Sequence, residues 1–526
     1  MGIYINRGNS DFRRALNSEY IDKTGLIAHI NSTLDTKQMY SCVTRSRRFG
    51  KTLAAEMLCA YYDKSCDSRE LFNGLAIASD PSFEKHLNKY AVIFIDITTI
   101  TTRKIAKTRF LSTLKSEVKA ELVATYPQVN DIKRNDDLMA TLLKISLQTG
   151  EKFIMIIDEW DAICREFSST PQLMDDYINL LRRLFKGAGS QQVFAGVYLT
   201  GILPIKKYNT ESALNNFTEY SMINPEPMAK FFGFTKEEVI KLCAQHDINF
   251  DEMEEWYDGY TIGGRKSMFN PNSVMKAIFK GVCSNYWGRT GNYEIVADYI
   301  KHNFLGLKDD LISMIGGARC DVSTSSFGND MSIVNSKDDV LTVLIHLGYL
   351  SYDRTDGRCY IPNKEVREEV VNAIRDIGGQ QVIEALSASD ELLKAILRKD
   401  SDYVAKGVER VHDNIVSLLT YNNEVAMSCV ITIAFYSAIN KYVFHRELAT
   451  GKGVADIVMI PRKNVELPAI VVELKYNHSS ENAIAQIKSR NYPEKISEYT
   501  GKIILAGIIY DPKTKAHESV IEEVEK

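Results

Sequence analysis

The sequence predicts an α/β protein made of two α/β units joined by a helical connector, and three observations carry that expectation. Gly50-Lys51-Thr52 stands between a short apolar run and a stretch with helical apolar spacing. Four apolar residues, Ile154 to Ile157, run directly into Asp158-Glu159. Late in the chain, two apolar runs carry Asp456 on one and Glu473 with Lys475 on the other. A chain of 526 residues is too long for one core, and its length suggests roughly three domains. The patterns divide it at 1–232, 233–400 and 401–526.

Composition sets the class. Hydrophobic residues at 45% and charged residues at 25% describe an ordinary globular chain, and a net charge of −4 excludes a global basic field. The nine cysteines show no C-x-x-C spacing, so neither a zinc site nor a disulfide framework is expected. The opening "MGIYINRGNS" lacks an apolar signal core, and Asn6 stands where a myristoylation signal needs Ser or Thr. "CVITIAFYSAI", from Cys429, is too short to span a bilayer. The expected setting is cytoplasmic, with no membrane partner.

In the first third, "MYSCVTR" (39–45) reads as a buried strand, and Leu53, Met57, Ala60 and Tyr61 follow at helical spacing. Gly50-Lys51-Thr52 therefore falls at a strand-to-helix turn, where backbone N–H groups bind phosphate oxygens. Lys51 would reach the β- and γ-phosphates of a nucleotide, and the Thr52 hydroxyl would ligate Mg²⁺. Arg45 occupies the position where such a loop usually opens with glycine. The run before Asp158-Glu159 reads as a central parallel strand whose carboxylates lie where such sheets bind ligands. Asp158 would hold Mg²⁺ through water, and Glu159 would polarise the attacking water. "YAVIFIDI" (90–97) and "QVFAGVYLTGI" (192–202) supply further strands, the latter ending at Thr200, a candidate γ-phosphate sensor.

"YIDKTGLI" (20–27), "TRSRRFGKTL" (44–53), "IIDEWDAI" (156–163), "LTGILPI" (199–205), "SALNNFTEYSMI" (212–223) and "WYDGYTIGG" (256–264) occur in that order. Together they resemble the AAA-ATPase-like family of bacterial and archaeal proteins, which pair a RecA-like P-loop ATPase with a C-terminal nuclease-fold domain. That family's loop resembles T-R-P-R-R-F-G-K-[ST], which also lacks the opening glycine; here Ser46 replaces the proline. The resemblance implies that Lys51, Thr52, Asp158 and Glu159 serve ATP and Mg²⁺, with Arg48 and Gly50 among the nucleotide contacts. The motif leaves the individual roles of Arg45, Arg47 and Arg48 open, and Asp22 to Thr24 is a marker of unassigned role.

In the connector, Thr235 and Glu238 form a capping-box pattern. Trp256, Tyr257 and Tyr260 are expected to pack rather than to stack on bases. "DDVLTVLIHLGYLSYD" followed by "CYIPNKEVREEVV" gives helix, strand, turn, strand, helix, a winged-helix-like order. No predicted helix there clusters Arg and Lys, so a structural coupler is expected. Residues 401–421 read as a helix opening the last domain.

In that domain Glu473 and Lys475, two apart on a strand, project to one side. Asp456 lies seventeen residues earlier on a strand that a turn at "PRKNVELP" can fold back. Asp456, Glu473 and the Leu474 carbonyl are hard oxygen ligands for Mg²⁺ or Mn²⁺, and Lys475 would orient a nucleophile or offset transition-state charge. The arrangement resembles the PD-(D/E)XK nuclease superfamily over roughly 404–511, with a restriction-endonuclease-like α/β fold implied. Glu424 matches its first-helix glutamate, and Gln486 and Tyr492 match the helix after the E-x-K strand. Lys452, Lys488 and Arg490 fall near the site. The expected function is ATP binding, with hydrolysis, coupled to metal-dependent cleavage of nucleic acid, DNA in the first instance, by a homo-oligomer-forming chain. The alternative is a nucleotide-dependent signalling or oligomerisation switch whose nuclease fold serves binding only.

Overall fold

Five parallel strands, β1 (Tyr40–Thr44), β2 (Ala91–Asp96), β3 (Phe153–Asp158), β4 (Phe194–Gly201) and β5 (Thr218–Tyr220), form the N-terminal sheet in the order β2-β3-β4-β1-β5. The pleat sends Ile93, Ile95, Met155 and Ile157 to one core, and Val92, Phe94, Ile154 and Ile156 to the other. Helices Phe110–Thr125, Leu138–Thr149 and Pro171–Phe185 cover the first face. Gly25–Thr33 and Lys51–Tyr62 cover the second. Burial on both faces is why these strands read as continuous apolar runs rather than as alternation. After β1 the chain crosses to the far edge and returns through β3 and β4, so the loops following β1 and β3 flank the end of β4. Ligands bind at such a reversal in open parallel sheets.

The computed structural model describes the chain except residues 1, 104–105, 168–169, 188, 206, 209–210, 213, 289–297, 300–305, 329–333, 377–379, 417–429, 451–452, 462–464, 477–500, 512, 515 and 525–526. It divides into two compact units, Met1–Gly288 with Asp321–Val366, and Arg289–Cys320 with Arg367–Lys526.

Beyond the sheet, the first unit adds helices Lys236–Gln245, Phe250–Tyr257 and Pro271–Lys280 around a core of Val239, Leu242, Met253, Tyr257, Phe269 and Val274. The capping box forms in both directions: the Glu238 N–H donates to Thr235 Oγ1 at 3.3 Å, and the Thr235 N–H donates to Glu238 Oε2 at 2.8 Å. Helix Lys337–Leu347, the antiparallel strands Ser351–Asp353 and Arg358–Tyr360, and helix Lys364–Asp376 follow the order read from sequence. Tyr257 and Tyr260 are fully buried. The Tyr257 hydroxyl donates to the Ser284 carbonyl at 2.7 Å, and that of Tyr260 donates to the Gly348 carbonyl at 2.8 Å.

In the second unit, β6 (Tyr442–Thr450), β7 (Gly453–Pro461), β8 (Ala469–Tyr476), β9 (Ile503–Tyr510) and β10 (His517–Val524) lie in sequence order. β8 and β9 are parallel and the other pairs antiparallel. β6 and β10 are the sheet's edges, and their charged residues hide them in the sequence; edge strands are commonly charged because bare hydrogen-bonding edges invite aggregation. The opening helix spans Ser401–Val416, and residues 417–421 of the expected helix lie outside the described residues. Among the described residues no helix is long and apolar enough to cross a membrane.

Candidate functional site

β1 ends at Thr44, and the loop after it turns into helix Lys51–Tyr62 through Gly50, at φ +85°. That left-handed conformation suits glycine and lets the first helical N–H groups, which have no intrahelical partners, face the end of the sheet. Those groups border a cavity of about 680 Å³ lined by Lys51, Thr52, Asp158 and Glu159. Lys51 is 4% exposed. Its Nζ donates to the Ser46 carbonyl at 3.2 Å and lies 3.7 Å from Glu159 Oε1.

Asp158 ends β3, is 1% exposed and shares a hydrogen bond with the Thr52 side chain. Burial, with the charges of Glu159 and Asp96, pushes its carboxyl up to about 7, against the opposing pull of Thr52 and Lys51. A carboxyl raised in this way binds its proton more tightly folded than unfolded. Its contribution to stability is therefore full below its ordinary value of 3.8 and is lost as pH rises through about 7. In the nucleotide-free protein, Asp158→Asn should raise stability by an amount that grows from pH 4 to 7 and levels off at on the order of 2–4 kcal/mol. Urea unfolding of the full chain across pH measures this, and a flat pH dependence would contradict it.

The arginines of the loop separate into different environments. Arg45 is fully buried. Its Nη1 donates to the carbonyls of Thr44, Tyr220 and Ser221 at 2.7, 2.8 and 3.1 Å, and its guanidinium lies 5.2 Å from the Phe232 ring centre. Burial lowers its pKa to about 10. Packing of the loop is the role the geometry provides for it, because Arg45 ties the end of β1 to the chain leaving β5. Arg48 lines the cavity, yet its Nη1 donates to the carbonyls of Tyr286, at 2.7 Å, and of Trp287. The Tyr286 N–H donates in turn to Glu365 Oε1 at 2.6 Å, and Ser273 Oγ donates to the same carboxylate. Ser46 packs so closely on Gly348 that a Cβ there would lie 2.6 Å from the Ser46 Cβ. The loop is thus held by the connector as well as by β1. Arg47 faces the cavity, and burial followed by the nearby Arg165 charge lowers its pKa.

Beyond β3 the turn is fixed by β4. The Trp160 N–H donates to the Thr200 carbonyl at 3.0 Å, and Asp161 accepts the Ile202 and Leu203 N–H groups at 3.2 and 2.8 Å. Glu159 adopts φ +50°, a left-handed conformation uncommon outside glycine. Arg165 Nε lies 2.9 Å from Asp161 Oδ2, while Arg165 Nη2 bonds Glu159 Oε2. Thr200, the candidate sensor, is fully buried at the end of β4 and does not line the cavity. Its carbonyl supports the turn, and the polar groups facing the cavity from that side are Glu159 and Arg165. In the sequence Arg47 is named without a role and Arg165 is not singled out, although Asp161 and Arg165, four apart after Asp158-Glu159, are a readable helical ion pair.

The same cavity is also lined by Tyr20, Ile21, Met57, Phe231, Phe234 and Met275. Of the unassigned Asp22-Lys23-Thr24 stretch, Lys23 lines the cavity wall. Asp22 Oδ1 accepts the Thr24 N–H and hydroxyl at 2.8 and 2.6 Å, and Asp22 Oδ2 accepts the Ala76 N–H at 2.7 Å. Lys23 Nζ bonds both oxygens of Glu238, at 2.7 and 2.8 Å, fastening this wall to the capped helix Lys236–Gln245. One cavity thus combines apolar side chains with a helix N-terminus, cations and buried carboxylates.

In the second unit, Glu473 is 2% exposed, and its Oε1 lies 3.1 Å from Lys475 Nζ, so the two share a face of β8. Ile457 pairs with Val472 across β7 and β8. One step further along each strand stand Asp456 and Glu473, and only the strand position of Asp456 is described. Glu424, Gln486 and Tyr492, with Lys452, Lys488 and Arg490, lie outside the described residues.

The first unit is therefore a parallel-sheet nucleotide-binding domain, and the second an α/β domain carrying an acid–lysine pair on one face of β8, with Asp456 on the neighbouring strand. Residues 8–210 match the family model described as "Predicted AAA-ATPase", and residues 422–520 match that of the PD-(D/E)XK nuclease superfamily. The chain thus carries an AAA-ATPase-like domain over residues 8–210 and a PD-(D/E)XK nuclease-superfamily domain over residues 422–520. Two solved structures of the Aeropyrum pernix ORC2 protein align with it. The ADPNP–ADP complexes give a TM-score of 0.33 at 12% identity, covering 69% of this chain and 98% of that one. The ADP form gives 0.26 at 10% identity, covering 70% and 98%. No curated protein matches the chain.

Proposed function

We propose that the chain hydrolyses ATP in its N-terminal cavity and uses that cycle to control metal-dependent cleavage of nucleic-acid phosphodiester bonds by its C-terminal domain. The observation that carries the reading is the convergence of Lys51, Thr52, Asp158 and Glu159 on one cavity whose lining also includes the apolar side chains of Ile21, Met57, Phe231, Phe234 and Met275. The apolar lining accepts the base, and the N-terminus of helix Lys51–Tyr62, with Lys51, accepts the phosphates. The Thr52 hydroxyl and the Asp158 carboxylate are a hard-oxygen pair and fit Mg²⁺, which would offset charge on the phosphate oxygens. Glu159 orients the attacking water once its own ion pairs yield.

In the second unit the donors fit a divalent cation equally. Asp456 and Glu473 would hold Mg²⁺ or Mn²⁺, which supplies an activated water and charge stabilisation at the scissile phosphate. Lys475 offsets negative charge there and holds Glu473 in place. DNA is the proposed substrate, and a homo-oligomer the proposed working form.

The full chain, incubated with duplex DNA, single-stranded DNA or RNA and Mg²⁺ or Mn²⁺, should cut DNA only with metal and at a rate that changes on adding ATP. Lys51→Ala should abolish the ATP effect alone. Cleavage that is the same with and without ATP would refute the coupling.

A further inference from the structure

Glu159 is held from both sides. Its Oε1 faces Lys51 Nζ at 3.7 Å, and its Oε2 bonds Arg165 Nη2, with all three groups on the wall of one cavity. Arg165 is itself anchored, because Nε pairs at 2.9 Å with Asp161, which is fully buried and fixed by the Ile202 and Leu203 N–H groups. The guanidinium is thus pinned at Nε and presents its other end to the cavity. Two cations meeting on the two oxygens of one carboxylate is the footprint that a terminal phosphoryl group also offers, with three oxygens and more charge.

We propose that Arg165 recognises the terminal phosphate of a nucleoside triphosphate, and that the Glu159 carboxylate stands in for that phosphate when the site is empty. This rests on the reading of the cavity as an ATP site and names the group that tells ATP from ADP there. A triphosphate brings its γ-phosphoryl group between Lys51 and Arg165, and both cations transfer to it from Glu159. Glu159 then turns free to face water only when there is a bond to cut, which couples activation of water to occupancy. A diphosphate reaches Lys51 and leaves the Arg165–Glu159 pair closed. Arg165 keeps Asp161 throughout, so the exchange moves one side chain end and leaves the turn after β3 in place. Arg47, on the same wall, adds positive charge beside Arg165 and raises the attraction for the incoming anion.

Binding of a non-hydrolysable ATP analogue and of ADP to the full chain, with Mg²⁺, is the test. Arg165→Gln should weaken the analogue roughly tenfold or more and leave ADP within about twofold, a loss consistent with one charge-assisted phosphate contact. Glu159→Gln, which removes the competing carboxylate and leaves the Arg165–Asp161 pair intact, should tighten the analogue several-fold with ADP unchanged. It also serves as the independent arm should Arg165→Gln fold poorly. Equal weakening of both nucleotides by Arg165→Gln, or no tightening by Glu159→Gln, overturns the inference while the ATP site stands. If the unaltered chain binds neither nucleotide, the reading of the cavity fails and this inference with it.

Discussion

Lys51→Ala should remove ATP turnover, lowering kcat/KM by roughly 10²–10³-fold, while the protein stays folded. Lys51 is the only lysine facing both Glu159 and the N-terminus of helix Lys51–Tyr62 among the described residues. Without it the phosphates keep the backbone N–H groups and lose the mobile cation that follows charge onto the leaving oxygens. The effect on folding is small by comparison. Arg165 remains on Glu159, and the helix keeps its Gly50 entry and its buried face of Ala55, Leu58 and Tyr62. Steady-state phosphate release and titration with an ATP analogue measure the loss, and circular dichroism checks the fold. Turnover preserved in Lys51→Ala would place hydrolysis outside this cavity.

The parts of this site that could be read from sequence are local ones. Gly50-Lys51-Thr52 sits within one strand-to-helix turn, and Asp158-Glu159 closes a strand whose dryness betrays its central position in the sheet. Arg45 shows the limit: in sequence it only marks a missing glycine. Its role depends on carbonyls at Tyr220 and Ser221, brought alongside when the three-residue β5 pairs with β1. So short a strand has no period to detect. Thr200 illustrates the reverse. It stands at the right end of the right strand, yet its side chain is enclosed and its carbonyl carries the turn. The apolar part of the cavity lining is assembled from segments near residues 20, 57, 231 and 275, and no pairwise pattern in sequence links them. In the second unit the period of two sufficed for Glu473 and Lys475, because a shared strand face follows from the pleat alone.

Lys475→Ala and Glu473→Gln should each lower metal-dependent DNA cleavage by on the order of 10²–10³-fold, with ATP binding unchanged. The two changes fail for different reasons, and the difference is measurable. Glu473 is almost wholly enclosed, and Lys475 is partly open at 20% side-chain exposure, 3.1 Å away. Gln at 473 keeps the shape and removes the anionic donor, so the cation is held less tightly and excess metal should restore part of the rate. Ala at 475 leaves the acid donors and removes the cation beside them, so added metal should not restore it. It also strips a buried carboxylate of the positive charge 3.1 Å away, which costs about 1–3 kcal/mol and should appear as a lower thermal midpoint in metal-free buffer. Supplying metal should recover most of that stability, since a divalent cation replaces the missing charge. A Lys475→Ala variant that regains cleavage at high metal would assign the lysine to holding the metal site rather than to the reacting phosphate. Undiminished cleavage by both variants would remove the site from β8 altogether.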